Sequence, residues 1–269
     1  MRWIESNGAS LRVAEEGVGA TLVLLHELGG SLESFDAFVD HLVGRWRVVR
    51  YDQRGAGLSE KPPGPASLVD HARDLAGLLD ALDLAQPCHL VGVAAGAAVA
   101  ALLALDHPGR VAGLALCAPA LGVAPERRAY LTERAALAER AGLRAVAEAS
   151  LANSYPAALR GDGETFARYR ARFLANDPAA YARANEALAE ASVEARLGDL
   201  AVPCLVLAGR HDLLRPPDAV RAAAERIPGA RLAVIESGHL MPVQAPAAMA
   251  AAVEEFLSSS SPEPRPPCA

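Results

Sequence analysis

The feature that most constrains this chain is a repeated alternation of short apolar runs with helical stretches. Candidate strands fall at Thr21–His26, Arg47–Asp52, Cys88–Val93 and Val111–Cys117, and again at Cys204–Ala208 and Leu232–Ile235. Between them the spacing predicts helices over Leu32–Val43, Leu68–Leu82 and Ala95–His107, one from Pro217, and a last one over Pro246–Leu257. Such a rhythm implies an α/β fold, a mostly parallel sheet with helices on both faces. Its crossovers are right-handed, and ligands bind beyond the carboxyl ends of the strands. An N-terminal pair, Trp3–Glu5 and Leu11–Glu15, is expected to add an antiparallel edge.

The rhythm stops between about Gly122 and Leu200. That stretch is rich in Ala, Glu and Arg, and Leu131, Leu137, Leu143 and Val146 follow helical spacing. Four or five short inserted helices are expected, forming a cap over the carboxyl end of the sheet, since lids are a common use of long insertions. The alternative is a helical layer on the outer rim. The expected layout is a core of residues 1–121 and 201–257, a helical cap over 122–200, and a disordered tail over 258–269, which is rich in Ser and Pro.

Composition narrows the partners. Hydrophobic residues are 52% of the 269, ample for one continuous core, and the net charge is −6. Acidic and basic residues are interspersed with no basic stripe, which argues against a nucleic-acid partner. Cys88, Cys117 and Cys204 sit in or beside apolar runs, where a free thiol behaves as a small hydrophobe. With Cys268 they form no C-x-x-C pair and no Cys/His cluster of metal-site spacing, and a reduced cytoplasmic setting is expected. The N-terminal stretch lacks an apolar signal core. The longest apolar run, Leu90–Leu105, falls short of the roughly 18–20 residues a membrane span needs and contains Gly92 and Gly96.

Five segments at strand ends carry candidate chemistry. Gly92-Val93-Ala94-Ala95-Gly96 follows a strand and opens a helix, the setting of a nucleophile elbow, whose tight turn needs small residues two before and two after its tip. The tip is Ala94, which has no atom to attack with; by itself the segment reads equally as a generic βα turn. Asp212 lies just past the Cys204–Ala208 strand, placed either to orient a histidine or to cap the turn before Pro216 and Pro217. The adjacent His211 reads as a loop residue. His239 follows Leu232–Ile235 and either reaches back over the sheet or lies on a surface loop. In the His26–Ser31 segment, backbone N–H groups are placed to supply half of an oxyanion hole, with Ala95 N–H the other half. The glycines of Asp52–Ser59 suit a constrained loop, in which Arg54 and Ser59 take structural roles.

Taken together and in this order, these segments resemble the α/β-hydrolase superfamily, and most of all its small enol-lactonase and esterase branch. The likeness runs from about Thr21 to Leu257, interrupted only by the helical stretch. It implies an acid at Asp212, a base at His239, oxyanion donors at Leu28 and Ala95, and no metal or organic cofactor. Two positions depart from the pattern. The elbow serine falls on Ala94, and the usual His-Gly of the first oxyanion loop is His26-Glu27. Glu27 is expected to point to solvent; pointing inward, it becomes a candidate acid or base.

Loss of a triad serine removes about a millionfold of turnover through an acyl-enzyme. Cys88 lies at the wrong end of its strand to replace it, Cys117 belongs to the neighbouring strand, and Ser31 and Ser237 are loop residues. Three readings follow. In one, His239 oriented by Asp212 activates a water for ester or lactone hydrolysis, or moves a substrate proton as a lyase or isomerase does. In another, the chain is a Ser→Ala form of an ordinary hydrolase. In the third it binds a ligand without catalysis, although a pure binder has no physical need for the Asp212–His239 pair. The expected partner is a small-molecule carbonyl compound, with oligomeric state open.

Overall fold

The computed structural model describes residues 1–260 apart from Ala85 and Asp162. Eight strands form one sheet: β1 (Arg2–Ser6), β2 (Ala9–Glu16), β3 (Ala20–Leu25), β4 (Trp46–Tyr51), β5 (Cys88–Val93), β6 (Val111–Cys117), β7 (Cys204–Gly209) and β8 (Arg231–Ile235). Their order is β1-β2-β4-β3-β5-β6-β7-β8. β2 runs antiparallel to both neighbours, and every later pairing is parallel. The chain steps outward from β3 to β4 and then crosses back to β5. The loops after β3 and β5 therefore diverge at a topological switch point, where open α/β sheets form a crevice.

Strand side chains alternate between two buried layers. Leu22 and Leu24 face one side with Val91 and Val93, and Val23 and Leu25 face the other with Leu90. The first layer packs under α1 (Asp36–Val39), α9 (Met241–Gln244) and α10 (Pro246–Ser260) through Phe38, Met241, Met249 and Phe256. The second packs under α2 (Leu68–Ala81), α3 (Ala95–Asp106) and α8 (Pro217–Ala224). Burial on both faces explains why β7, and β5 past its buried His89, read as apolar runs rather than alternating ones. α3 is apolar all round because it is enclosed on all sides, buried from Ala95 through Ala104. α2 starts at Ser67, whose Oγ accepts from Asp70 N–H while the Asp70 carboxylate accepts from Ser67 N–H, a reciprocal cap.

Two sequence expectations need correction. The helix expected over Leu32–Val43 is a 3₁₀ turn, Leu32–Phe35, followed by the single α-turn of α1. Leu42 N–H and Val43 N–H both bond Val39 C=O, and the chain turns through Gly44 into β4 while Val39 and Leu42 stay buried. The stretch expected to be disordered from 258 is helical over its first three residues, since α10 continues through Ser260. Phe256 and Leu257 anchor its last turn in the core, and Ser259 Oγ takes a hydrogen bond from Arg231. Residues 261–269, Cys268 included, lie outside the described residues.

Between the adjacent strands β6 and β7 come α4 (Pro125–Ala141), α5 (Arg144–Ser154), α6 (Glu164–Leu174) and α7 (Pro178–Ala189). α4 packs along α7. Their apolar sides close on Leu28, after β3, and on Leu240, after β8. Among the described residues, no helix is long and apolar enough to cross a membrane.

Candidate active site

The turn after β5 is sharp. Ala94 sits at its tip with φ 51° and ψ −111°, a backbone that L-residues rarely adopt. The flanking glycines are dictated by space. A Cβ on Gly92 would lie 2.5 Å from Gly96 C=O, and one on Gly96 would lie 2.4 Å from Leu25 C=O. The strained tip is held from both sides: Ala94 N–H bonds Cys117 C=O at 2.9 Å, and Ala94 C=O accepts from Ala97 and Ala120 N–H. The elbow geometry is intact although its side chain is a methyl group. Ala95 opens α3, so its N–H has no helical acceptor.

Asp212 and His239 meet because the loops after β7 and β8 are tied together. His211 N–H bonds Ser237 C=O at 2.9 Å, and Gly209 leaves no room for a side chain against Gly238 C=O. Asp212 Oδ2 lies 2.8 Å from His239 Nδ1, with the carboxylate fully buried and the imidazole nearly so. Asp212 Oδ1 accepts from Leu214 and Arg215 N–H at 2.8 and 2.9 Å. The two alternative roles read from the sequence are thus filled at once, one oxygen capping the turn and the other holding the imidazole. Ionised Asp212 can only accept, so Nδ1 carries the proton. Nε2 is left without a protein partner among the described residues. His211 pairs instead with Glu236 on the surface.

The loop after β3 is fixed by His26. Its Nε2 accepts from Gln53 N–H at 3.0 Å, which assigns the other proton to Nδ1, donating to Glu27 C=O at 2.8 Å. Asp52 steadies the next segment, accepting from Leu32 and Leu58 N–H and pairing with Arg12 at 2.6 Å. Arg54 is ion-paired to Asp74 and Ser59 Oγ donates to Asp52 C=O, both within the scaffold. Leu28 N–H has no partner among the described residues.

Contrary to the sequence expectation, Glu27 does not point to solvent; it is 2% exposed. Its Oε1 accepts from Ser34 Oγ and Tyr169 OH, each at 2.8 Å, and Oε2 is buried without a partner. The carboxylate fits only because residue 30 is glycine: a Cβ there would lie 2.2 Å from Oε1. Burial and the neighbouring carboxylate together hold the Tyr169 hydroxyl well above the usual tyrosine range. Ser34 and Tyr169 are not legible from sequence as site residues. Tyr169 reaches Glu27 from α6, and no local pattern announces a contact 142 positions away.

Ala94, Ala95, Leu28, Glu27 and His239 all line one cavity of about 100 Å³ between the sheet and the inserted helices. That volume exceeds the ~10–15 Å³ that one water requires. Ser31 and Ser237 are not on its wall. Three guanidiniums are: Arg127 and Arg134 from α4, and Arg215 from the Asp212 turn. Desolvation lowers the Arg215 pKa from its ordinary value, and the charge of Arg127 adds to this. Among the described residues, no group of three or more His, Cys, Asp or Glu is placed to hold a metal.

Known proteins share this architecture. Residues 20–246 match the family model described as alpha/beta hydrolase fold. A protein of Caulobacter sp. (strain K31) named "Putative carbamate hydrolase RutD" is 32% identical over 252 residues, covering 90% of this chain and 91% of its own. A thermophilic esterase from Thermogutta terrifontis, solved with malate bound, superposes with a TM-score of 0.91 at 29% identity, over 97% of this chain and 99% of its own. The enol-lactonase of Burkholderia xenovorans LB400 superposes at 0.90 with 30% identity, over 96% of this chain and 100% of its own. With a mostly parallel sheet and the family model matched over residues 20–246, this chain belongs to the alpha/beta hydrolase fold family.

Proposed function

We propose that this chain hydrolyses a small carbonyl compound, an ester, lactone or enol-lactone, without a covalent enzyme intermediate. The observation that carries the reading is the 2.8 Å Asp212–His239 contact on the wall of a cavity that also holds Ala94. The absent hydroxyl leaves room for water beside the base. His239 Nε2 takes a proton as the water oxygen attacks the carbonyl carbon. The carbonyl electron pair moves to its oxygen, and Leu28 and Ala95 N–H donate to that oxygen. Collapse re-forms the carbonyl and expels the leaving oxygen, which takes the proton back from the imidazolium. The inserted helices act as the cap that closes this cavity. The relatives named for carbamate and enol-lactone hydrolysis support the same reaction class.

The test is a paired assay of this chain, its Ala94→Ser variant and its His239→Ala variant on small esters, lactones and carbamates. Activity in the parent chain that His239→Ala abolishes and Ala94→Ser leaves in place supports water-based hydrolysis. Activity that appears only with serine refutes it and makes this an alpha/beta hydrolase lacking its nucleophile. A second reading, proton transfer without hydrolysis, is favoured by Glu27, a carboxyl group on the same wall as His239. Exchange of substrate C–H for deuterium without ring or ester opening distinguishes it.

A further inference from the structure

The cavity wall carries more positive charge than the protein around it explains. The chain as a whole has a net charge of −6, yet this one cavity is lined by Arg127, Arg134 and Arg215 against the single carboxylate of Glu27. Glu27 already accepts from two hydroxyl groups. None of the three guanidiniums forms an ion pair within 4.0 Å among the described residues, although most other arginines of the fold do, as with Arg12, Arg50 and Arg54. Their hydrogen-bond partners are neutral, and the carboxylates of Asp212 and Glu194 act on Arg215 only through space, beyond ion-pair distance. Arg134 binds the Asn185 side-chain oxygen and lies against the Tyr181 ring, and Arg215 reaches only Gly122 C=O, at 3.3 Å.

Two elements bring these charges together. Arg127 and Arg134 are seven residues apart on α4, two turns of one face, with Leu131 between them on the same wall. Arg215 follows Asp212 by three residues and is fixed by the same turn, since its N–H is one of the two that cap Asp212 Oδ1. Arg134 and Arg215 are half-buried and Arg127 is exposed, so an oxyanion reaching this wall would meet charge-assisted hydrogen bonds that no protein ion pair already uses.

We propose that Arg215 and Arg127 form an anion subsite, so that the substrate carries a small oxyanion group, a carboxylate or phosphate, close to its reacting carbonyl. The subsite deepens the proposed function and rests on the cavity being the substrate site. Guanidinium forks suit the planar, two-oxygen face of a carboxylate, and Arg215 shares both its turn and its cavity wall with the Asp212–His239 pair. Arg215 and Arg127 act here as specificity residues, leaving the proton transfer to His239.

The experiment is a binding titration of the whole chain with monomethyl succinate and with dimethyl succinate, which differ in one negative charge. The monoanion is expected to bind about tenfold or more tightly, the size of a charge-assisted hydrogen bond, with the preference shrinking as salt is added. Arg127→Gln, on an exposed stretch of α4, and Arg215→Gln should each reduce the preference while leaving the dimethyl ester's affinity in place. Inorganic phosphate as competitor separates the two anion classes: displacement assigns the subsite to oxyanions in general, and its absence assigns it to carboxylates. Equal binding of the two esters, or a preference unchanged in both variants, overturns the proposal. Because binding is read rather than turnover, His239→Ala should retain the preference; its failure to affect turnover would count against the base and not against the subsite.

Discussion

Replacing Asp212 with asparagine tests the site at its most constrained atom. Oδ1 accepts two backbone N–H groups, from Leu214 and Arg215, so the amide nitrogen of the introduced side chain cannot take that place without facing two donors. The amide oxygen must stay on the turn, which puts the NH₂ group against His239 Nδ1, 2.8 Å from the present carboxylate oxygen. The histidine then accepts at Nδ1 and carries its proton on Nε2, toward the reacting water, where it can no longer act as a base. An enforced wrong tautomer of this kind costs about 10⁴-fold in turnover. The fold should lose little, on the order of 1 kcal/mol for exchanging a charge-assisted bond for a neutral one, because both turn bonds survive. The assay is kcat/KM on a turned-over ester or lactone, in the parent chain and in the Ala94→Ser background, with nitrogen NMR of the His239 ring to read the tautomer. An Asp212→Asn protein within tenfold of its parent, or one whose imidazole keeps its proton on Nδ1, refutes the reasoning.

Other consequences follow from burial and packing. Burial, helped by the charge of Arg54, lowers His71 to about 4 from an ordinary 6.5, so the folded protein resists its protonation. The stability this contributes is complete above about pH 6.5 and is lost as pH falls toward 4, about 3 kcal/mol in all; urea unfolding at pH 7.5 and 4.5 should show a smaller acid loss in His71→Gln, and an equal loss in both proteins refutes it. Gly96→Ala drives a Cβ against Leu25 C=O at 2.4 Å and His26 C=O at 2.6 Å, which rigid backbone cannot relieve. A drop of roughly 3 kcal/mol is expected, and an unchanged Tm means that the β3 loop gives way more easily than its hydrogen bonds suggest. Burial pushes the Cys88 thiol up to about 11 and Cys117 further still. Peptide mapping after alkylation at pH 8 should find Cys88, Cys117 and Cys204 unmodified until the protein is unfolded, and rapid native labelling of any of them contradicts the packing.

Much of the fold is legible in the sequence because the signals are local. The strands buried on both faces announce themselves as apolar runs, and the elbow by glycines two positions either side of Ala94. Asp212 and His239 are visible as polar residues just past apolar strands, although only the fold brings them together. What escapes is settled by distant partners. Sequence places Glu27 outside because carboxylates are rarely buried unpaired, and it is inside because Ser34 and Tyr169 donate to it and Gly30 makes room. The helix expected from Leu32 stops early because the chain must turn into β4 with Val39 and Leu42 still in the core. The arginines of the cavity wall lie in the inserted helices and a tight turn, where spacing marks an exposed face but not what that face meets.

The elbow also bears on how such a protein changes over generations. Ala94 keeps a positive φ that suits a displayed side chain, and its neighbours keep the space that the turn needs. Alanine and serine codons differ by one nucleotide, so a serine nucleophile is a single point mutation away, with no rebuilding of the backbone required. The same holds in the opposite direction for a serine member of the family whose codon is of the TCN set. A lineage can therefore cross between covalent and non-covalent chemistry, or between catalysis and silence, without passing through an unfolded intermediate, and the barrier it meets is set by selection on the substrate rather than by the stability of the fold.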